Sequence, residues 1–250
     1  MKKFKSINII CLMIMILVLL LGCGSCKSIY NYNFTKFDNK DVTYQKSTET
    51  TITESFDELY IDWVRGNVVI NLSSDVNTVI TSDEFYIGNN GNTYYIRPYE
   101  DGYDYTKAEN KELKINLALL NNLDKLVIAS EGGVEINGIN LFDLTIVSNG
   151  FINLNNITCN ELIITEGNET VYLTNVTLEK GTFVVGKGNI NMTTNSSEVD
   201  YVIEFTSAKG SFNSNMKYTK VDNKYGFGKC SKEISVVIAK GSFTLDYKND

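Results

Sequence analysis

Histidine is missing from this 250-residue chain altogether. That removes Cys/His zinc sites and every triad or acid–base scheme that relies on imidazole. Arginine occurs only at Arg65 and Arg97, proline only at Pro98 and tryptophan only at Trp63. Cysteine is sparse, and no CxxC pair lies in the body of the chain. A long apolar run is lacking too. The longest, Ile9 to Leu21, has thirteen residues, where a membrane-spanning helix needs about twenty. No segment carries a 3.6-residue apolar stripe with helix caps.

What is present begins with the leader. Lys2, Lys3 and Lys5 make a positive n-region ahead of the apolar run, the pattern of a signal peptide. The run ends Leu20-Leu21-Gly22-Cys23, which resembles the lipobox of bacterial lipoproteins. That resemblance implies cleavage before Cys23, acylation of its thiol (a diacylglycerol with palmitate-type chains) and attachment to the cell membrane or outer membrane on the exported face. Two or more long chains anchor stably where one does not. Cys26 is a rival acylation site, with a poorer motif before it. An uncleaved anchor and an ordinary secreted protein are the other readings.

Removing residues 1–22 takes away three lysines and no acid, leaving 20 basic and 30 acidic side chains, a formal charge of −10. A strongly acidic exported chain is not a nucleic-acid binder. Anionic headgroups repel it, so lipid on Cys23 is the expected hold on the membrane. With Cys23 acylated, Cys26, Cys159 and Cys230 remain. An odd number implies no disulfide framework. Cys159 and Cys230 are read as isolated small apolar residues or as a pair, should the fold bring them together.

Residues 23–50 read as the lipidated cysteine and a flexible polar tether, and residues 51–250 as one domain. That domain reads as strand throughout, in short β-branched runs bounded by Gly, Asn, Asp or Ser. Its informative feature is an internal repeat. Leu126, Leu144 and Leu162 are spaced by 18 residues, as are Ile128, Ile146 and Ile164. Val134/Ile136, Ile152/Leu154, Val171/Leu173 and Ile190/Met192 follow at 18 or 19, with Ile139, Ile157 and Val176 in step. Each turn between them holds Gly138, Asn156 or Asn175, residues that tolerate a left-handed backbone. Near the end, Ala208-Lys209-Gly210-Ser211-Phe212 returns unchanged as Ala239-Lys240-Gly241-Ser242-Phe243.

Two short strands with one apolar face cannot bury that face alone, so each repeat must stack on its neighbours. The expectation is an all-β fold: a parallel β-helix or solenoid with coils of about 18–19 residues, about eight to ten coils in all, right-handed by the crossover rule. Asn156 and Asn175 are expected to share an amide ladder. Residues 51–125 repeat less clearly and are read as irregular first coils. The charged end, Asp246 to Asp250, is a candidate cap for exposed strand edges. An antiparallel sandwich also has many short strands, but has no reason to repeat the same positions at 18–19.

These strand repeats, with Tyr225-Gly226-Phe227-Gly228, Ile234-Ser235-Val236 and the Lys-Gly-Ser-Phe phrases, are similar to the DUF4097 family of bacterial β-strand-repeat proteins, which is labelled "putative adhesin". The resemblance spans roughly residues 52–247. It departs at Ala118, where the family often has proline. It implies a parallel β-helix and brings no catalytic residues.

The sequence is compatible with three functions. The first is an adhesin-like binding module on the cell envelope, with an extracellular glycan or protein as ligand. Its candidate contact segment is Pro98 to Tyr105, which clusters Tyr99, Tyr103 and Tyr105 with Glu100, Asp101 and Asp104; tyrosines stack on sugars and anchor interfaces. A solvated excursion between coils is the plainer reading of that segment. The second is a structural or envelope-stress signalling lipoprotein acting through protein partners. The third is a carbohydrate-active β-helix enzyme, for which two carboxylates would have to meet across coils. No catalytic residue, cofactor or metal ligand can be assigned, and the expectation is a protein that is not an enzyme.

Overall fold

The computed structural model describes residues 42–45, 49–63, 66–73, 76–98, 111–118 and 123–248. All helix or strand among them is strand, and the strands form one continuous sheet folded into two facing ladders.

The sequence repeat is the coil. In order come β9 (Leu123–Ser130), β10 (Val134–Asn137), β11 (Leu141–Ser148), β12 (Ile152–Asn155), β13 (Thr158–Glu166), β14 (Val171–Thr174), β15 (Thr177–Lys187) and β16 (Ile190–Thr194). The odd-numbered strands pair in parallel with one another, and so do the even-numbered ones. Leu126, Leu144 and Leu162 therefore stand side by side, as do Ile128, Ile146 and Ile164. In the facing ladder Val134, Ile152, Val171 and Ile190 make one column, and Ile136, Leu154, Leu173 and Met192 the next. All of these are buried. Alternate residues of a strand point to opposite faces, so an apolar residue at every second place fills the space between the ladders.

Two kinds of corner join the ladders. At one, Gly138, Asn156 and Asn175 have φ of 73°, 54° and 53°, the left-handed backbone expected of them. Asn175 Nδ2 donates to Asn156 Oδ1 at 3.2 Å. A second amide ladder runs beside it on the outer face. Asn155 Nδ2 donates to Asn137 Oδ1 at 2.9 Å, and Asn137 Nδ2 to Asn71 Oδ1 at 3.1 Å. At the other corner, successive coils touch backbone to backbone. A Cβ on Gly241 would lie 1.7 Å from the Gly188 carbonyl oxygen, and one on Gly210 1.7 Å from that of Gly241. The Lys-Gly-Ser-Phe phrases thus mark contact corners. Asn67 and Asn189 play matching parts there, accepting from Gly133 N at 2.7 Å and Ser242 N at 2.9 Å.

Toward both ends, chain order and spatial order part company. β3 (Glu58–Trp63) and β4 (Val68–Ser73) lie between two later coils. On one side are β7 (Thr93–Pro98) and β8 (Leu113–Ala118), on the other β9 and β10. At the far end the last strand, β20 (Lys232–Tyr247), is wedged between the β15–β16 coil and β17 (Tyr201–Ser214). β17 and β20 are long enough to run through both ladders. The two identical pentapeptides are neighbours in register: Lys209 faces Lys240, Gly210 Gly241, Ser211 Ser242 and Phe212 Phe243. The described residues thus form eight parallel coils.

The parallel expectation holds for these coils and not beyond them. β6 (Phe85–Asn90) pairs antiparallel with β7, and β1 (Val42–Gln45) with β6. β5 (Asn77–Thr81) pairs antiparallel with β8, and β2 (Glu49–Ile52) with β5. Strand therefore begins inside the stretch read as tether, because a four-residue strand is too short to show a period in sequence. Trp63 is fully buried and its Nε1 donates to Lys111 O at 3.1 Å.

Candidate binding surface at the C-terminal end

Cys23, Tyr99, Tyr103 and Tyr105 lie outside the described residues. Pro98 closes β7 and is buried. Cys159 and Cys230 do not pair. Cys159 is buried and Cys230 exposed, both as free thiols. Cys159 stands opposite Leu178, a small apolar residue in a column of larger ones. Burial and the Asp143 carboxylate push its thiol up to about 12.

Outward-facing charges form a ladder of their own. Glu58, Lys125, Asp143, Glu161, Lys180 and Glu233 occupy successive rungs. Two carboxylates, Asp143 and Glu161, thus stand on adjacent coils, and Glu161 is engaged by Lys180. This is a salt-bridged outer face. Among the described residues no group of three Cys, Asp or Glu side chains could hold a metal ion.

Concave space lies at the ends. At the first end a cavity of about 250 Å³ holds Glu54, Asn89 and Tyr94. Tyr94 Oη donates to Glu54 Oε2 at 2.9 Å and accepts from Asn89 Nδ2 at 3.1 Å. This bond holds the Glu54 carboxyl below its ordinary range, while burial pushes the Tyr94 hydroxyl up.

The larger cleft, about 590 Å³, is at the other end. β17 is the last coil there, and its first half is covered by the hairpin of β18 (Thr219–Val221) and β19 (Lys224–Gly226), with β19 antiparallel to Val202–Glu204. An aromatic cluster closes the interior. Phe212 stacks on Tyr225 at 3.8 Å between centroids and on Phe243 at 5.7 Å, and Tyr218 packs on Tyr225 and Phe227. The cap is therefore this hairpin. Asp246 and Tyr247 instead lie within β20, paired with Thr193 and Thr194; they are inside the stack because β20 is a middle rung.

The cleft has Val199, Met216 and Phe227 as its apolar part, with Glu198, Lys217 and Lys229 around it. Asp200 also borders it, but its carboxylate accepts from Ser231 N at 3.1 Å and Ser231 Oγ at 2.6 Å. Those bonds hold its pKa below the usual carboxylate value and fix the turn after Phe227.

No family model matches the chain, so the DUF4097 resemblance rests on the residues that carry it. No curated protein matches either. Among solved structures, the chain is similar to a "putative cell adhesion protein" of Clostridium sporogenes, at 15% identity over 83% of this chain and 100% of that one, TM-score 0.33. A "putative adhesin" of Bacteroides fragilis matches at 12% identity over 84% and 98%, TM-score 0.40. A "putative lipid binding protein" of Parabacteroides distasonis matches at 14% over 84% and 98%, TM-score 0.31.

At this end the sequence offered repeat phrases and a candidate cap, but no binding surface was read there. Two signals marked it: the 18–19 repeat stops after Met192, and between Thr206 and Lys232 an acidic chain carries six lysines against one acid, Asp222.

Proposed function

We propose that the chain is an exported, lipid-anchored, non-enzymatic module that binds a ligand at the end of its solenoid away from the anchor. The observation that carries this is placement. The chain enters the first ladder at its edge strand, β1, and the large cleft sits at the corner of the last two coils, near the opposite edge. The order between them is β1, β6, β7, β3, β9, β11, β13, β15, β20, β17, β19 and β18. At about 4.8 Å per strand the cleft stands roughly 40–50 Å from the entry point. Lipid on Cys23 would hold the near end and present the far one. A stack of parallel coils supports the role because it is stiff along its axis.

Membrane fractionation of wild type against Cys23→Ala, with protease shaving of intact cells, tests the reading. The expected result is wild type in the membrane fraction and shaved, with the variant released or unprocessed. Wild type that is lipidated yet protected from protease would remove the outward-facing role. Changing Tyr99, Tyr103 and Tyr105 together to alanine measures the share of the tyrosine–acid segment in any ligand binding.

A further inference from the structure

We infer that the open edge of β17 is a strand acceptor for an extended, acidic peptide segment of a protein partner. This rests on the binding role proposed above only for where the partner is met.

The first half of β17 is covered. Val202–Glu204 pair with β19, and Phe205 N donates to Asn223 O at 2.9 Å. From Thr206 to Ser214 the strand pairs with β20 on one side, and no other described strand pairs with it. Thr206, Ala208, Lys209, Gly210, Ser211 and Asn213 are all exposed. An edge of this length offers a row of unpaired amides and carbonyls, a template for one more strand. The inner side shows that the template accepts its own kind of rung, since Lys209–Phe212 lies in register on the identical segment of β20.

Charge selects the occupant. Of the lysines at this end, Lys224 pairs with Glu204 at 3.6 Å and Lys232 with Glu179 at 2.8 Å. Lys209, Lys217, Lys220 and Lys229 have no carboxylate partner among the described residues, and Lys220 lies over the Tyr225 ring. Lys209 is on the open edge itself, and Lys217 and Lys229 border the cleft past its end. Tyr218 and Val221 on the hairpin are 39% and 70% exposed and add apolar surface. A second copy of the same edge would bring lysine against lysine. A strand with alternate acids meets the backbone row and the lysines together.

The test is hydrogen exchange on the full lipidated chain in detergent. The probe is an acetylated, amidated peptide of alternating glutamate and valine. Controls are its lysine counterpart, a form N-methylated at every second residue, and dextran sulfate. The glutamate peptide should slow exchange within Thr206–Ser214 by about tenfold or more, and the lysine and N-methylated forms should not. K209E and K217E together should weaken peptide binding by about tenfold, with an unchanged Tm. Equal binding by the N-methylated peptide, or full competition by dextran sulfate, would mean a general polyanion patch and overturn the strand. Binding without protection at this edge, or no binding, overturns it too, as does a dimer of the free chain that already protects the edge. These outcomes do not depend on the shaving result, so the two readings fail separately.

Discussion

Gly181 and Phe183 are a matched pair. Gly181 stands in the column of Leu126, Leu144 and Leu162, and Phe183 in that of Ile128, Ile146 and Ile164. A Cβ on Gly181 would lie 3.1 Å from the Phe183 ring, 3.3 Å from Ile234 Cγ2 and 3.3 Å from Leu178 Cδ1. The larger ring takes the volume that leucine fills in the coils before it.

Restoring the repeat at one of these positions should therefore harm the fold, and restoring both should not. Gly181→Leu overpacks and is expected to cost about 1–3 kcal/mol. Phe183→Ile leaves a cavity and should cost a similar amount. The double variant should recover most of the loss, a coupling of about 1–3 kcal/mol. Urea denaturation of the four proteins reads this directly, and simple additivity would refute the pairing.

Glu166 should make stability depend on pH. It follows Ser130 and Ser148 in one interior column and is 2% exposed. Its Oε1 accepts from Asn168 N and Glu169 N at 2.7 and 2.6 Å, while Oε2 is buried without a partner. Burial raises its pKa from 4.5 to about 7, against the backbone bonds that lower it. The folded state thus holds the proton more tightly than the unfolded state. Its contribution is fully present below about pH 4.5 and is lost as pH rises through 7, a fall of about 3 kcal/mol. Denaturation midpoints at pH 5 and pH 8 should show most of that fall in wild type and flatten in Glu166→Gln.

Asn156, at φ 54°, should tolerate glycine and reject valine. Asn156→Gly keeps the left-handed corner and loses an exposed side-chain bond, so a change of about 0.5 kcal/mol or less is expected. Asn156→Val forces a β-branched residue into that backbone at a cost of about 1–2 kcal/mol. Thermal melts of the two variants separate backbone conformation from the amide ladder. Equal losses would assign the position to the ladder.

The two body cysteines should differ in reactivity. In the native chain at pH 8, thiol labelling followed by peptide mass mapping should find Cys230 modified and Cys159 untouched, because burial holds the Cys159 thiol up near 12. In denaturant both should react. Labelling of native Cys159 at the rate of Cys230 would show that this part of the core opens.

The coils from Leu123 to Thr194 were legible because consecutive repeats are also neighbours in space. A spacing of 18 or 19 then writes each column of the core into the sequence, and Gly138, Asn156 and Asn175 mark the corner between. The ends were not legible for the opposite reason. Asn71 meets Asn137 across 66 residues, and Asn189 meets Ser242 across 53. No local period records such pairings. Even the repeated Ala-Lys-Gly-Ser-Phe phrase shows that two rungs are alike without showing that they touch.

By itself the sequence determined that the domain coils as β-strand with an 18–19-residue period from Leu123 to Thr194, which residues line the interior there and where the left-handed corners fall. These follow from alternation and backbone sterics, which act locally. Only the tertiary structure decided the order of the end coils, the aromatic hairpin that closes the last one, and the open, lysine-rich edge of β17. Those depend on which segments pair across long separations in the chain. A strand between two rungs, such as β20 or β3, gains hydrogen bonds on both sides, and that gain is set by segments far from it in sequence.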